Sequence, residues 1–394
     1  MDLTIYPRKL AGKVSSIPSK SQAHRILICA AFSQNETTLI CPDTNEDIEA
    51  TADCLQGLGA KIFRTENGYR VIPVSEPPKT AILNCKESGS TLRFMLPVVG
   101  ALGVDATFYL YGRLPLRPLS PLWEEMERMG CKLTRPTEST IRCTGKLTDG
   151  QYRIDGGISS QFITGLLLAL PLIGGTSSLE IQGKVESKPY IDLTLQVQSL
   201  FGYNTGNCFP PYRSPECITV EGDWSNAAFF LAAQHLGSDL NITGLCHDSA
   251  QGDKAILTYL DALSNFAVID CADTPDLVPI LAVAAGANKG ATFKNIKRLR
   301  LKESDRVQSV VAMLRRLGAE VTTTENEITV YPVEYKGCTI NAEGDHRIAM
   351  AAAIAATIST GPITILGAEC VSKSYPSFWE EYHRLGGHYE QHNR

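Results

Sequence analysis

The amino-acid sequence predicts an α/β protein built from six similar units. Six amphipathic segments end in the same way, with a bulky apolar residue followed by Gly, or by Ser264-Asn265 in the fourth copy, and then a short strand-like run. Upstream of each amphipathic segment lies a second segment that is almost wholly apolar. A helix that is apolar on all sides must be buried on all sides. Six such helices therefore imply two buried clusters of three, each surrounded by amphipathic helices and strands.

The amphipathic segments are recognised by their C-terminal ends. A Gly or Asn just beyond a helical pattern is typical of a left-handed C-cap, because that conformation strains most other residues. Successive markers are roughly 50–70 residues apart, which is longer than the units of common solenoids. The six marker residues are Gly59, Gly130, Gly202, Asn265, Gly318 and Gly386.

The apolar segments are predicted to form helices whose polar residues gather at their N-terminal ends. Ser88 and Asp223 fit N-caps, because Ser and Asp side chains accept hydrogen bonds from free backbone N–H groups. The six predicted helices span residues 21–33, 88–102, 159–172, 224–236, 275–287 and 346–358.

Cations also lie at the start of these helices, or within one turn of it. They are Lys20, Arg25, Arg93 and Arg347. The helix macrodipole disfavours positive charge at this end, so N-capping alone does not explain them. They favour an anionic ligand that is bound by backbone amides and side chains together.

Other cations lie in loops between a strand and a helix. Arg117 is in LPLRPLSP, Lys373 is in VSKSYP, and Lys302 and Arg306 are in RLRLKESDR, where Ser304 is expected to cap the helix that follows. A single Lys or Arg is usually a solvated surface charge. Because these residues recur at one point of the repeat in a chain of net charge -5, they predict a small, multiply anionic ligand. Phosphate and carboxylate groups match arginine geometry.

Composition excludes several classes of protein. With 37 basic and 42 acidic residues, a general nucleic-acid binder or a polybasic membrane-surface protein is not expected. No apolar run reaches the ~18 residues of a membrane span, and MDLTIYPRKL lacks a signal pattern. The 12 cysteines never form C-x-x-C, and neither metal motifs nor glycine-rich nucleotide loops occur. We therefore expect a cytoplasmic protein with reduced thiols and no structural metal.

Ten strings along the chain resemble one known family. They are SKSQAHR, ESGSTLRF, LPLRPL, GGISSQFITGLL, SKPYID, VEGDWSNAAFFLAA, TPD, LKESDR, GDHRIAMAAA and SKSYP. The family that they resemble is that of the 3-phosphoshikimate 1-carboxyvinyltransferases, or 5-enolpyruvylshikimate-3-phosphate synthases. The strings occur in the family's order from residue 19 to residue 376, so the resemblance covers nearly the whole chain.

The resemblance implies a specific form of the α/β fold. Family members have two similar domains, each a closed bundle of three βαβαββ repeats with buried helices inside (an inside-out α/β barrel), and the active site lies in the interdomain cleft. The family's chain starts in one domain, crosses early to the other and returns. We therefore expect one domain of residues 1–18 plus 222–394 and a second of residues 19–221, with three repeats in each.

The resemblance also implies an enzyme of the shikimate pathway of aromatic amino-acid biosynthesis. The expected reaction joins the enolpyruvyl group of phosphoenolpyruvate to the 5-hydroxyl of shikimate 3-phosphate and releases phosphate, through a tetrahedral intermediate and without a cofactor. By residue match, Asp276 accepts the 5-hydroxyl proton, Glu303 protonates C3 with help from Lys20, and Lys302 lies beside the shikimate hydroxyl and phosphate. Whether Asp276 or Lys302 takes the proton stays open, because coupled groups titrate together. We expect a monomer whose partners are these two small molecules.

The substrate-binding residues implied by the resemblance fall into two sets. For shikimate 3-phosphate they are Lys20, Ser21, Arg25 (for the carboxylate), Ser159, Ser160, Gln161, Ser187, Asp276 and Lys302. For phosphoenolpyruvate they are Lys20, Gly89, Arg117, Gln161, Arg306, Arg347 and Lys373. Arg306 and Arg347 would bind the carboxylate, and Gly89, Arg117 and Lys373 the phosphate. The herbicide glyphosate occupies the phosphoenolpyruvate site in this family, so inhibition by glyphosate is expected.

Several of these residues have simpler interpretations. Asp276 could serve merely as a cap of the helix that it opens, and Glu303 could simply pair with a lysine. Gly89 could be a turn residue that is needed for its backbone angles alone. Asp345 and His346 are expected to position Arg347 and not to take part directly in the chemistry. Other residues whose interpretation stays open are Tyr190, which is as well explained by packing, and Arg298, which stands where many relatives have Asn.

Two other functions are alternatives. The related transferase that acts on UDP-N-acetylglucosamine usually has a cysteine in the loop that corresponds to LPLRPLSPL, which has none here. The nearest cysteine, Cys131, is interpreted as packing in a strand. A non-catalytic anion-binding protein of the same fold should have lost its acid–base pair, yet Asp276 and Glu303 are both present.

Overall fold

A computed structural model describes residues 1–203 and 212–392. The chain divides into two compact units. Unit 1 comprises Met1–Ile17 and the chain from Gly222 onward, and unit 2 comprises Pro18–Glu221. The first boundary differs by one residue from the expected one. Pro18 groups with unit 2 because it directly precedes Ser19, the N-cap of the first helix of that unit.

Twelve α-helices lie in the described residues, and buried helices alternate with amphipathic ones along the chain. In chain order they are α1 (Lys20–Ala31), α2 (Glu46–Gly57), α3 (Gly89–Leu102), α4 (Leu122–Arg128), α5 (Ser160–Ile173), α6 (Lys188–Leu200), α7 (Trp224–His235), α8 (Ile256–Ala262), α9 (Val278–Gly286), α10 (Arg306–Arg316), α11 (His346–Ala356) and α12 (Phe378–Arg384). All six predicted apolar helices are present, with the fifth preceded by a 3₁₀ turn, Pro275–Leu277.

Within the part of the chain that the structure describes, the strands are short and form six sheets. In chain order they are β1 (Asp2–Tyr6), β2 (Ala11–Ser15), β3 (Thr37–Ile40), β4 (Lys61–Thr65), β5 (Gly68–Ile72), β6 (Thr80–Asn84), β7 (Asp105–Tyr109), β8 (Cys131–Thr137), β9 (Thr140–Gly145), β10 (Gln151–Asp155), β11 (Ser178–Gln182), β12 (Cys217–Thr219), β13 (Asp239–Thr243), β14 (Ala267–Asp270), β15 (Ala291–Lys294), β16 (Val321–Thr323), β17 (Glu327–Val330), β18 (Cys338–Asn341), β19 (Ile363–Leu366) and β20 (His388–His392). In the described residues each unit has two four-stranded sheets and one two-stranded sheet.

The βαβαββ order is seen directly in two repeats. One runs β6, α3, β7, α4, β8, β9 and has the sheet order β6-β7-β9-β8; the other runs β14, α9, β15, α10, β16, β17 and has the order β14-β15-β17-β16. The first two strands of each are parallel and enclose the buried helix, whereas the other pairs are antiparallel. The fold is therefore α/β, with two similar units that each bury three helices.

Two other four-stranded sheets take a strand from a distant part of the chain. Strand β12 pairs in parallel with β3, and β1 pairs antiparallel with both β19 and β20. The remaining sheets are the parallel pairs β10-β11 and β13-β2. The helix that follows β2 in sequence is α1, which belongs to unit 2, because the chain leaves unit 1 soon after β2.

The buried helices form the cores. Every residue of α11 is buried, and the same holds for every residue of α9. Each unit has its own cluster of buried apolar side chains. Cys131 is buried in β8, which confirms that it packs within a strand. Among the described residues, no helix is both long enough and apolar enough to cross a membrane.

The helix N-termini were mostly predicted from local sequence. Ser88 and Asp223 cap α3 and α7, as expected. The prediction for Ser304 is wrong, because α10 is capped by Asp305. The Ser304 hydroxyl is instead used elsewhere: it donates to Asp345 Oδ2 at 3.0 Å.

Candidate active site

A fully buried arginine forms the centre of the charged cluster in unit 1. Arg306, the first residue of α10, donates from Nε to Asp345 Oδ2 at 2.9 Å, from Nη1 to Asp276 Oδ1 at 2.8 Å and from Nη2 to Glu303 Oε2 at 2.6 Å. Its side chain has 0% exposure. One guanidinium therefore joins three carboxylates from three loops, and both predicted acid–base carboxylates contact it.

The carboxylate of Asp276 is held by three cations. Besides Arg306, it accepts hydrogen bonds from Lys302 Nζ at 3.2 Å and from Arg347 Nη2 at 3.3 Å. Burial opposes ionisation, but the charges of Arg347, Lys302 and Arg306 together hold the pKa of Asp276 well below its usual range. Burial lowers the pKa of Lys302, and Asp276 counteracts this effect. The interpretation of Asp276 as only a helix cap does not account for these contacts.

Local structure explains how these side chains meet. Asp276 lies in the 3₁₀ turn before α9, and Arg347 is the second residue of α11. The backbone carbonyl of Asp276 also accepts from Arg347 Nη1, at 3.3 Å. Lys302 and Glu303 lie between the 3₁₀ turn Lys297–Leu301 and α10. The cluster thus collects residues that precede or begin three helices.

Asp345 has two roles that sequence reasoning did not separate. Its Oδ1 accepts from the backbone N–H of Arg347 at 3.0 Å, which caps α11. Its Oδ2 accepts a hydrogen bond from Arg306 Nε, so Asp345 also fixes the guanidinium of Arg306. The sequence does not predict this second contact. Lys373, the other predicted residue of unit 1, ends the 3₁₀ turn Ala368–Lys373 and is half-buried.

In unit 2, the guanidinium of Arg117 lies directly against Gly89. A Cβ built on Gly89 would come within 2.5 Å of Arg117 Nη1 and 2.9 Å of its Cζ. Gly89 is the first residue of α3, and its backbone is outside the left-handed region. The interpretation of Gly89 as a glycine needed for its backbone angles is therefore wrong. Its lack of a side chain instead allows a cation to approach the free amides at the start of a buried helix.

Arg93 connects two of the predicted ligand-binding elements. It donates from Nη1 to Gln161 Oε1 at 2.6 Å and from Nη2 to the Pro118 carbonyl, next to Arg117, at 3.0 Å. Gln161 in turn donates from Nε2 to Ser90 Oγ at 2.9 Å. Arg93 stands out in the sequence because it is a cation one turn inside an apolar helix. The residues that it contacts cannot be predicted from the sequence.

Arg25 is buried among neutral oxygen atoms. Its Nε donates to Thr194 Oγ1 at 2.8 Å, and its Nη2 donates to Thr164 Oγ1 at 3.2 Å and to the Tyr190 carbonyl at 2.9 Å. Its Nη1 donates to the carbonyl of Ser21. Burial lowers the pKa of Arg25 to about 10, so it is still charged at neutral pH.

Lys20 differs from Arg25 in having a carboxylate partner. Its Nζ lies 2.9 Å from Asp47 Oδ2, and both side chains are largely buried. Asp47 belongs to α2, 27 residues away in sequence, and was not predicted as a site residue. An acidic residue in the first turn of an amphipathic helix is common, so no sequence pattern distinguishes Asp47 as a site residue.

The predicted phosphate-binding serines lie at two helix starts in unit 2. Ser159 caps α5, where its hydroxyl accepts from the Gln161 N–H at 3.3 Å, and Ser160 is buried beside it. Ser187 precedes α6 with φ 55°, a left-handed conformation that strains a serine, and it is 2% exposed. Strained, buried residues of this kind are concentrated at functional sites.

The fold is that of an enolpyruvyl transferase. An EPSP synthase from Acinetobacter baumannii has a TM-score of 0.79 and 24% identity, and covers 99% of this chain and 100% of its own. The enolpyruvyl transferase NikO from Streptomyces tendae has a TM-score of 0.74 and 17% identity, and covers 99% and 98% respectively. At these identities the likeness establishes the architecture.

Sequence comparison identifies the family. The family model for EPSP synthase (3-phosphoshikimate 1-carboxyvinyltransferase) matches residues 6–382. The 3-phosphoshikimate 1-carboxyvinyltransferase of Clostridium kluyveri is 38% identical over 99% of this chain and 98% of its own, and that of Clostridium beijerinckii is 36% identical over 100% and 99%. The chain belongs to the EPSP synthase family.

Proposed function

We propose that this protein transfers the enolpyruvyl group of phosphoenolpyruvate to the 5-hydroxyl of shikimate 3-phosphate and releases phosphate, in aromatic amino-acid biosynthesis. The observation that carries this proposal is the buried cluster of Asp276, Glu303, Lys302, Arg306 and Arg347 in a chain that the EPSP synthase family model matches almost from end to end. The cluster combines proton-transfer groups with cations that can bind a carboxylate. The family match does not favour the UDP-N-acetylglucosamine reaction.

The addition step requires a base, an acid and cations. In our proposal the Asp276–Lys302 pair takes the proton of the 5-hydroxyl as its oxygen attacks C2, while Glu303, aided by Lys20, gives a proton to C3. Arg306 and Arg347 bind the carboxylate of phosphoenolpyruvate. The hydrogen bonds that join both guanidiniums to carboxylates in the cluster support this role, because they show geometry suited to such a group. In the elimination step the proton roles are reversed and phosphate leaves.

The residues of unit 2 are proposed to bind and orient the substrates. Arg25 suits the shikimate carboxylate because its partners in the fold are neutral oxygens, so that its charge is not balanced there. Gly89 with Arg117 suits the phosphate of phosphoenolpyruvate, since an open helix N-terminus and a guanidinium meet at this point. The remaining proposed contacts are Ser159, Ser160 and Ser187 to the 3-phosphate, Ser21 to shikimate 3-phosphate, Gln161 and Lys20 to both substrates and, from unit 1, Lys373 to the phosphate of phosphoenolpyruvate.

We also propose that the protein acts as a cytoplasmic monomer and binds neither nucleic acid nor membranes. The net charge of -5 supports the absence of nucleic-acid binding.

The test is release of phosphate from phosphoenolpyruvate by the purified protein, with shikimate 3-phosphate or UDP-N-acetylglucosamine as the acceptor. We expect turnover when shikimate 3-phosphate is the acceptor and none when UDP-N-acetylglucosamine is the acceptor. Turnover with the nucleotide sugar would establish the alternative substrate. Binding of shikimate 3-phosphate without any release of phosphate would instead favour a non-catalytic anion-binding protein.

A further inference from the structure

Unit 1 contains a buried carboxylate that none of the roles above uses. Asp253 lies in the 3₁₀ turn Gly252–Ala255, which precedes α8, and only 3% of the residue is exposed. Among the described residues, its Oδ1 has no hydrogen-bond partner. Buried carboxylates are normally paired or hydrogen-bonded, because burial of an uncompensated charge is costly.

The fold fixes Asp253 next to the start of α7. Gln251, two residues earlier, donates from Nε2 to the Gly222 carbonyl at 2.8 Å and accepts at Oε1 from the Trp224 N–H at 3.2 Å. These two hydrogen bonds hold the turn against the start of α7. Helix α7 also packs against the 3₁₀ turn that contains Asp276. Asp253 is therefore part of the region where the buried helices of unit 1 begin.

The charges around Asp253 are those of the proposed active site. Burial and the negative charge of Asp276 raise the pKa of Asp253 to about 6, with a smaller contribution from Asp223, while Arg347 and the hydroxyl of Ser225 act in the opposite direction. The carboxylates of Asp253 and Asp276 thus repel each other inside the protein. Each makes the other harder to ionise.

Helix α8 also packs against this turn, but its ionisable groups act elsewhere. The Tyr259 hydroxyl donates to the Asp270 carbonyl at 3.4 Å, and the charge of Asp261 acts on His235.

We propose that Asp253 is a positioning residue for the transfer reaction: its buried negative charge counteracts the cations around Asp276 and keeps the Asp276–Lys302 pair basic enough to accept the substrate proton. This inference rests on the proposed function. Lys302, Arg306 and Arg347 stabilise ionised Asp276 and so weaken it as a base. A nearby negative charge restores part of that basicity, and the rate of proton transfer follows.

The first test is the variant Asp253→Asn, which removes the charge with little change of shape. Turnover is measured from pH 5 to pH 8.5, and the ratio of native to variant kcat is the readout, because it cancels the ionisation of the substrate phosphates (second pKa about 6). We expect a ratio on the order of 3 to 10 at pH 8 that approaches one as the pH falls through about 6. KM for phosphoenolpyruvate should not rise, since Arg347 loses a competing negative charge.

The matched control is Asp248→Asn, which removes an exposed carboxylate from the same loop and should give a ratio of one at every pH. A pH-independent loss of kcat in Asp253→Asn would show a merely structural role and overturn the proposal. An unchanged kcat at pH 8 would also overturn it.

A second variant tests the same charge by making Asp253 harder to ionise, without replacing Asp253 itself. Ser225→Ala removes the hydroxyl that favours ionised Asp253, so kcat should fall near pH 6.5 and recover by pH 8.5. Equal loss at both pH values would contradict the proposal.

Thermal stability provides a readout that does not depend on the reaction. The pKa of Asp253 is raised in the fold from 3.8 to about 6, so the contribution of Asp253 to stability falls as the pH rises through that window, and Asp253→Asn lacks this contribution. The Tm of the variant minus the native Tm should therefore increase between pH 4 and pH 6. A constant difference would overturn the proposal, and absent turnover of the native protein would instead overturn the proposed function.

Discussion

Replacing Gly89 with alanine tests the phosphoenolpyruvate site by adding one methyl group. Its Cβ would lie 2.5 Å from Arg117 Nη1, 2.9 Å from Cζ and 3.2 Å from Nη2. An ordinary contact needs about 3.5 Å or more, so the guanidinium must withdraw by about 1 Å. The cost to folding should be small, because the displaced atoms are the end of a flexible side chain and the backbone of Gly89 is not left-handed.

The cost to binding should be larger. Loss of one hydrogen bond to a charged group costs about 1.5–3 kcal/mol. At about 1.4 kcal/mol for each factor of ten, KM for phosphoenolpyruvate should rise about 10- to 100-fold. Because glyphosate occupies this site in the family, its inhibition constant should rise as well. The affinity for shikimate 3-phosphate should be retained, since neither Gly89 nor Arg117 is among its proposed contacts.

The assay combines phosphate release at varied phosphoenolpyruvate, inhibition by glyphosate, calorimetric binding of shikimate 3-phosphate, and Tm. A variant that loses several degrees of stability but keeps native KM and native inhibition would refute the reasoning. A double variant that combines Gly89→Ala with Arg117→Ala shows whether the added methyl acts through Arg117 or on the ligand directly. If the methyl acts through Arg117, its effect on KM should be much smaller in the Arg117→Ala background than in the native one. Additive effects would show that the methyl contacts the ligand directly.

Three further predictions concern the cluster around Arg306. Glu303→Gln should keep binding of shikimate 3-phosphate but lower kcat by at least ~100-fold, whereas the exposed control Glu325→Gln should not; near-normal kcat would remove Glu303 from the role of acid. Asp276→Asn should lower kcat by about 10²- to 10⁴-fold, and a change confined to KM would exclude it as part of the base. Asp345→Ala should lower the free energy of unfolding in urea by about 3 kcal/mol, because it removes a partner from a fully buried arginine; unchanged stability would contradict the buried ion pair.

The helices were predictable because their sequences contain the reason for their burial. The segment predicted as 346–358 forms α11, His346–Ala356, and the one predicted as 88–102 forms α3, Gly89–Leu102. A segment that is apolar on every side has one stable environment, the interior, so composition alone defines it. Caps are equally local. Asp223 contacts an amide three residues away, and the pattern of a few residues indicates such a contact.

The contacts within the site could not be predicted, because they join residues that are far apart in sequence. Asp47 was not expected to hold Lys20, and Arg93 was not expected to hold Gln161, 68 residues away. Whether such side chains meet depends on how the repeats pack against each other. Ser304 shows the same limit at short range: it fits an N-cap by type, but Asp345 engages its hydroxyl from 41 residues away.

The two units use arginine in different ways, and this difference suits the two tasks of the proposed reaction. Arg25 in unit 2 donates to hydroxyl and carbonyl oxygens, so a substrate carboxylate can supply the balancing charge that the fold does not. Arg306 and Arg347 in unit 1 already contact Asp276, and Arg306 contacts Glu303 as well. On the proposed assignment, the carboxylate of phosphoenolpyruvate must compete with these internal carboxylates for the same guanidiniums. Its binding therefore weakens the interactions that hold Asp276 ionised. Arrival of phosphoenolpyruvate would thus raise the basicity of Asp276, which belongs to the pair that takes the proton of the 5-hydroxyl.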